Sequence, residues 1–377
     1  MKRFLPLIML LAATVMVSCK STNGAFTDTS THGVDASGNV WMNPPPPQEG
    51  LQIAVEPFDV PDSAEVQGNF YFHLPSTVPF DVQRIEIAMN EGTHHMNLYK
   101  TTTAWPDSGI PRKIVFRYLE GNVDTFTVHY QAQFNATIVR NGGDMMVEAQ
   151  VPYLNWTFPK LPSGEQTAVH FAANDTLIIE NHYVNIANLS GVGAQTTPNG
   201  KGKVIINLWR ATSGPVVPAS MMFARNVYVK VLPHSTPTFS KDCLFGGTSD
   251  FKWPIYILGM TGHFHSRGKT FVVDKMRRVV DANGNVISDS VIAPGIYQSA
   301  AWSEPPFITY DTPIKLDKII DNNGTVHQEY IRYTAGYVNN SDSTFNFGAY
   351  VAKNEHCNLF TWFAPGYHNG QTVYDDK

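Results

Sequence analysis

Six histidines in four short stretches are the residues of this chain whose type and spacing can do chemistry: His94-His95, His182, His263-Phe264-His265 and His356. Imidazole is a borderline donor that suits zinc and copper, and a divalent or monovalent ion of that kind needs three or four donors, so no single stretch completes a site alone. His263 and His265, at positions i and i+2, share a face if they lie on a strand, which makes His-X-His the strongest metal-chelating pattern here. Adjacent residues such as His94 and His95 diverge on a regular strand. Both can serve one ion only where the strand ends, bends or bulges, and Gly92 permits that. His182 closes the apolar run Leu177 to Ile179. His356 sits in Asn354-Glu355-His356-Cys357-Asn358, where Cys357 is a competing donor. His32, His73, His129, His170, His234, His327 and His368 lie outside these patterns and read as surface or hydrogen-bonded residues.

These donors must be positioned by strands. Alternation of aromatic and β-branched residues recurs between Gly, Pro, Asn and Asp punctuation, as in Phe70 to Leu74, Ile85 to Ala88, Lys113 to Tyr118, Val204 to Leu208 and Glu329 to Tyr333. No long helical period competes. With 25 prolines and 28 glycines dispersed through 377 residues, the body reads as all-β, two tandem antiparallel jelly-roll (β-sandwich) domains. The Gly-rich stretch between Asn185 and Lys203 predicts the boundary, giving domains at 51–190 and 200–377.

Residues 1–19 read as an export signal. Lys2 and Arg3 precede the apolar run Phe4 to Met16, and Val17-Ser18-Cys19 resembles a bacterial lipobox, which implies lipidation of Cys19. The expected location is that of an exported bacterial lipoprotein, anchored to a lipid membrane and facing the periplasm or the cell surface. Residues 20–50, ending in Pro44-Pro45-Pro46-Pro47, are expected to form a tether. A net charge of −5 without Lys/Arg clusters excludes nucleic acid as a partner.

In order and separation, His94-His95-Met96, His182-Tyr183, His263-Phe264-His265 and Glu355-His356-Cys357-Asn358-Leu359 resemble the motifs of the copper type II, ascorbate-dependent monooxygenases, the family of peptidylglycine α-hydroxylating and dopamine β-monooxygenases. The resemblance spans about Val60 to Phe363. It implies two copper ions, one per domain, facing each other across a water-filled cleft. His94, His95 and His182 would hold the first; His263, His265 and His356 would hold the second, where O2 and a small-molecule or peptide substrate react at the expense of an external reductant such as ascorbate. The implied activity is copper-dependent hydroxylation of an unactivated C–H bond.

Three departures matter. His356 replaces a methionine ligand, which should favour Cu(II), lower the reduction potential and place turnover in question. Met260 could substitute as a thioether but fits a packed core better. The arginine and tyrosine that grip a peptide carboxylate in the amidating branch correspond to Thr261 and Phe360, so only Asn358 is carried over as substrate-binding and C-terminal amidation is not expected. Cys243 and Cys357 match members of different family disulfides, and a bond between them is a further expectation. Two rival readings remain: a non-catalytic copper-binding lipoprotein on the same fold, and a jelly-roll amidase acting on glycans without metal.

Overall fold

The computed structural model describes residues 32–61, 64–74, 78–101, 113–119, 122–123, 144–173, 175–185, 199–212, 214–245 and 251–375. The expected signal segment and the expected lipidation site, Cys19, lie outside them. Among the described residues there is no α-helix, only a short 3-10 turn at Tyr367–Asn369, and the chain is an all-β jelly-roll protein.

Two six-stranded sheets form the first half. One runs Val217–Pro218, Thr167–Phe171, Phe80–Met89, Asn199–Arg210, Gly50–Pro61, with Tyr153–Thr157 also paired to Phe80–Met89. The other runs Asn122–Val123, Lys113–Leu119, Ala64–His73, Thr176–Asn185, Thr93–Thr101, Asp144–Ala149. The second half also carries two main sheets. Its inner sheet is Ile308–Leu316, Ile255–His263, Asn358–Ala364, Ser220–Arg225, Val373–Asp375; its outer sheet is Thr238–Cys243, Val326–Tyr337, Gly268–Val280, Val286–Ser299. Pairing is antiparallel throughout these sheets except where the short strands Val217–Pro218 and Val373–Asp375 join in parallel.

The alternation seen in sequence is used as a two-faced code. Ile85 and Ile87 enter the first core, while Glu86 between them points to the opposite face, where Arg84, Asn207 and the Trp209 indole satisfy it. That core extends past the first half: Trp362 from the inner sheet of the second half packs at 5.1 Å from Trp156 and 4.9 Å from Phe307, and its indole nitrogen donates to the Met146 carbonyl.

Two sequence-based boundaries need correction. Asn199–Arg210 is hydrogen-bonded between Gly50–Pro61 and Phe80–Met89, so the first unit extends to Pro218 and does not end near 190. The Gly-rich stretch leads into a long strand because Gly202 allows the Phe58 ring to lie where a Cβ would stand, 2.1 Å away. Nor is all of 20–50 a free tether. His32–Val34 and Val40–Met42 form a hairpin whose Val40 and Met42 pack on Ala88 and Ile205, and His32 stacks on Tyr153 at 3.6 Å. After the turn at Gly38, Val40 and Met42 both face inward on either side of the exposed Trp41 and hold the hairpin down.

Candidate metal centre

His94 and His95 begin the Thr93–Thr101 strand, beside Thr176–Asn185. His95 faces His182 directly across the pair, and the next partner of Tyr183 is Thr93, so His94 is an extra, bulged residue. This irregularity turns both rings to one side, with centroids 5.2 Å apart. The turn before it depends on Gly92, which has φ +91° and would place a Cβ 2.4 Å from the Tyr183 hydroxyl. Gly92→Ala is therefore expected to destabilise the protein by about 1–3 kcal/mol and to disorder His94, measurable as a lower urea midpoint.

The other donors come from the second half. His263 is the last residue of Ile255–His263, opposite Asn358, and His265 lies beyond the strand end, in the turn closed by the Gly268 amide on the His265 carbonyl. The expectation that both occupy one strand face is thus corrected: the turn, not the pleat, brings their rings to 5.4 Å. Phe264 points into the core, and Met260 is fully buried there too. His356 lies between Asn354–Glu355 and Asn358–Ala364, its ring 4.3 Å from that of His265 and 5.1 Å from that of His263.

All six rings form one cluster. His94 lies 4.9 Å from His263 and 5.5 Å from His265, and His95 lies 4.8 Å from His182 and 5.2 Å from His263. The implied gap between two remote sites is absent here, because the two sheets that carry the histidines pack face to face. Ligand nitrogens approach within 4.8 Å of one another in two groups, His94/His95/His263 and His263/His265/His356. His182 stays close to His95 but belongs to neither group.

Hydrogen bonds to the outer ring nitrogens decide which lone pairs face inward. The Gln150 amide donates to the Gly262 carbonyl and the Thr261 hydroxyl, which fixes its oxygen on His263 Nδ1. That nitrogen must carry the proton, leaving Nε2 as an acceptor without a partner. His265 Nδ1 likewise donates to the Asn354 carbonyl, and its Nε2 is unpartnered. Glu65 Oε1 accepts from the Val351 amide at 3.0 Å and is hydrogen-bonded to His182 Nε2 at 2.6 Å. His182 Nδ1 is hydrogen-bonded in turn to His95 Nε2 at 3.1 Å, and His95 Nδ1 is left unpartnered. His94 Nε2 and His356 Nδ1 are also buried without partners. Five unsatisfied imidazole nitrogens in one interior cluster would each cost free energy with no ligand present. They fit a metal ion, and the hydrogen bonds behind them are the kind that orient metal-ligating histidines.

Burial is the main cause holding all six imidazoles below their usual pKa, His182 down to about 3, with neighbouring rings adding repulsion at His94, His95, His263, His265 and His356. Neutral rings keep their lone pairs for a metal. Burial also raises the carboxyls around them, Glu65 and Glu148 strongly and Glu180 and Glu355 to about 7.

A cavity of ≈ 220 Å³ opens against the cluster between the two sheets. His95, His182, His263 and His356 line one side; Phe360, stacked on Phe223 at 4.6 Å, forms an apolar wall. Asn358, whose Oδ1 is unpartnered, faces it, as do Glu148 and Glu180. Sequence reasoning missed Glu65, Gln150, Glu148 and Glu180. The signal was present as polar residues at alternate strand positions, Glu65-Gln67-Asn69, Glu148-Gln150 and Glu180-His182, all of them buried. Such a polar inner face is unusual for a sandwich.

Cys243 and Cys357 are both buried free thiols, so the expected bond between them is not formed. Burial pushes Cys357 up to about 12, where it is inert as a thiolate ligand. Of the histidines outside the motifs, His170, His234 and His327 each pair with an aspartate, at 2.8, 2.8 and 2.9 Å.

No family model and no curated protein matches the sequence. Among solved structures, a triple jelly-roll turret protein of an archaeal virus aligns over 89% of this chain and 63% of its own at 10% identity and TM-score 0.17. The capsid of Broad bean stain virus aligns over 84% of this chain and 82% of its own, at 10% identity and TM-score 0.22. The chain thus spans less than two thirds of the turret protein.

Proposed function

We propose that this protein is a copper-dependent monooxygenase that hydroxylates an unactivated C–H bond with O2 and an external reductant. The observation that carries the reading is the convergence of five inward-facing, unpartnered imidazole nitrogens beside a cavity. Imidazole serves copper in both oxidation states, and neither group of three contains a carboxylate, the donor that hard ions favour. Bound copper supplies one-electron redox chemistry and activation of O2. His94, His95, His263, His265 and His356 would hold it, and His182 would orient His95 on behalf of Glu65.

The chain's own residues do the rest. Gln150 and the Asn354 carbonyl keep the ring protons of His263 and His265 on Nδ1, so that Nε2 is always the inward atom. Phe223 and Phe360 exclude water from one wall, and Asn358 and Glu148 offer acceptors to a substrate. Thr261 is engaged by Gln150 and Phe360 by Phe223, so neither offers the fork that binds a peptide carboxylate. Export and anchoring through Cys19 belong to the same proposal.

A second reading, retention of copper without turnover, draws on His356, which strengthens an all-imidazole site for Cu(II). Metal analysis followed by oxygen uptake with ascorbate tests both. Stoichiometric copper with uptake above that of free copper is expected. Copper without uptake would leave the binding protein, and a metal-free protein active on glycans would remove both.

A further inference from the structure

We infer that the histidines form one binuclear centre, with two copper ions inside a single cluster and His263 contested by both, in place of two mononuclear sites held apart. The inference rests on the copper reading above and concerns how many ions the cluster holds and how near they lie. Distances between the two groups of three are close to those within them: His94 to His265 is 5.5 Å, while His94 to His95 is 5.2 Å and His263 to His265 is 5.4 Å. Residues of the first half and of the second half therefore meet at ring contact. The bonds that fix them run across the same junction, Glu65 to the Val351 amide and Gln150 to the Gly262 carbonyl.

Counting donors gives the asymmetry of the centre. Five nitrogens are unpartnered, and the two groups of three share His263, whose Nδ1 is held by Gln150 and whose Nε2 is a single lone pair. One ion can have three imidazoles and the other only two. Both groups reach the cavity, through His95 on one side and His356 on the other, and the ion left with two imidazoles has a coordination position to spare for an exogenous ligand.

The test is copper stoichiometry and EPR on the full chain loaded with Cu(II), neither of which reads activity. Two coppers per chain with dipolar broadening, a half-field transition and an integrated intensity below that of two isolated spins are expected. His356→Ala, which leaves His94, His95 and His263 in place, is expected to retain one copper with an ordinary single-spin signal. His263→Ala, which leaves two imidazoles to each ion, is expected to weaken one of the two ions by about 10-fold or more and to leave the other nearly unchanged, with the near-UV circular dichroism of the wild type as the check on folding. Two coppers whose spectrum integrates to two isolated spins, or a single copper in the wild type, would overturn the binuclear centre while leaving a copper protein. No copper at all would sink the copper reading itself.

Discussion

Glu355→Ala is expected to cost about 2–4 kcal/mol of stability, because it strips two amides of their acceptor and the partly buried Arg267 guanidinium of a partner. Glu355 Oε2 accepts from the His265 amide at 3.0 Å and Oε1 from the Arg267 amide at 3.1 Å, and the Arg267 guanidinium lies 3.5 Å from Oε1. Burial outweighs these partners and lifts the carboxyl to about 7, which shows how little water reaches it. Arg267 keeps the carbonyls of Val351 and Ala352, at 2.9 and 2.8 Å, so its loss is partial. Glu355→Gln preserves one acceptor and should cost about 1–2 kcal/mol. Urea midpoints give the ranking, wild type above Gln above Ala. Since Glu355 precedes His356 and holds the turn of His265, the Ala variant should, on the proposed reading of the site, also bind less copper. An Ala variant as stable as the wild type would mean that this carboxylate does not hold the turn.

The second large effect is on pH. In the folded protein six imidazoles resist protonation, whereas in the unfolded chain they take up protons below about 6.5. The unfolded state then binds more protons, so stability falls as pH falls, and for His182 it keeps falling to about 3. The buried carboxyls act in the opposite sense. Glu180 and Glu355 hold a proton up to about 7 when folded and release it near 4.5 when unfolded, so their part of the stability falls as pH rises between those values. Between about 4.5 and 6.5 the two sets oppose each other, and since the imidazoles outnumber the buried carboxyls, stability still falls toward acid but less steeply. Below 4.5 the carboxyls no longer offset the histidines, and His182 alone contributes a slope of about 1.4 kcal/mol per pH unit down to about 3. The metal-free protein is thus expected to unfold steeply in acid. His182→Gln should flatten that limb by about one histidine's share, and an unchanged acid limb in that variant would contradict the assignment of a neutral, buried His182. Denaturant titrations from pH 3 to 8 measure both.

How much of this was legible in sequence differs from residue to residue. Alternation placed the strands because burial on one face of a sheet is a local, period-two property. The bulge at His94 could be stated only as a condition, since a bulge is defined by the partner strand and not by the strand that carries it. His263 and His265 were expected on one face; the strand stops at His263, and that stop is set by what packs beyond it. The boundary near 190 failed because glycines mark both loops and close approaches, and Gly202 is the second kind.

The amino-acid sequence by itself determined an all-β chain and the six imidazoles available to it, since backbone preference and donor chemistry belong to residue types. Only the tertiary structure decided that these imidazoles form one cluster and which nitrogen of each faces inward. Those depend on Glu65, Gln150, Val351 and the Asn354 carbonyl meeting the rings from strands far apart in the chain, and such contacts leave no mark in local sequence because sheet packing, not spacing, makes them neighbours.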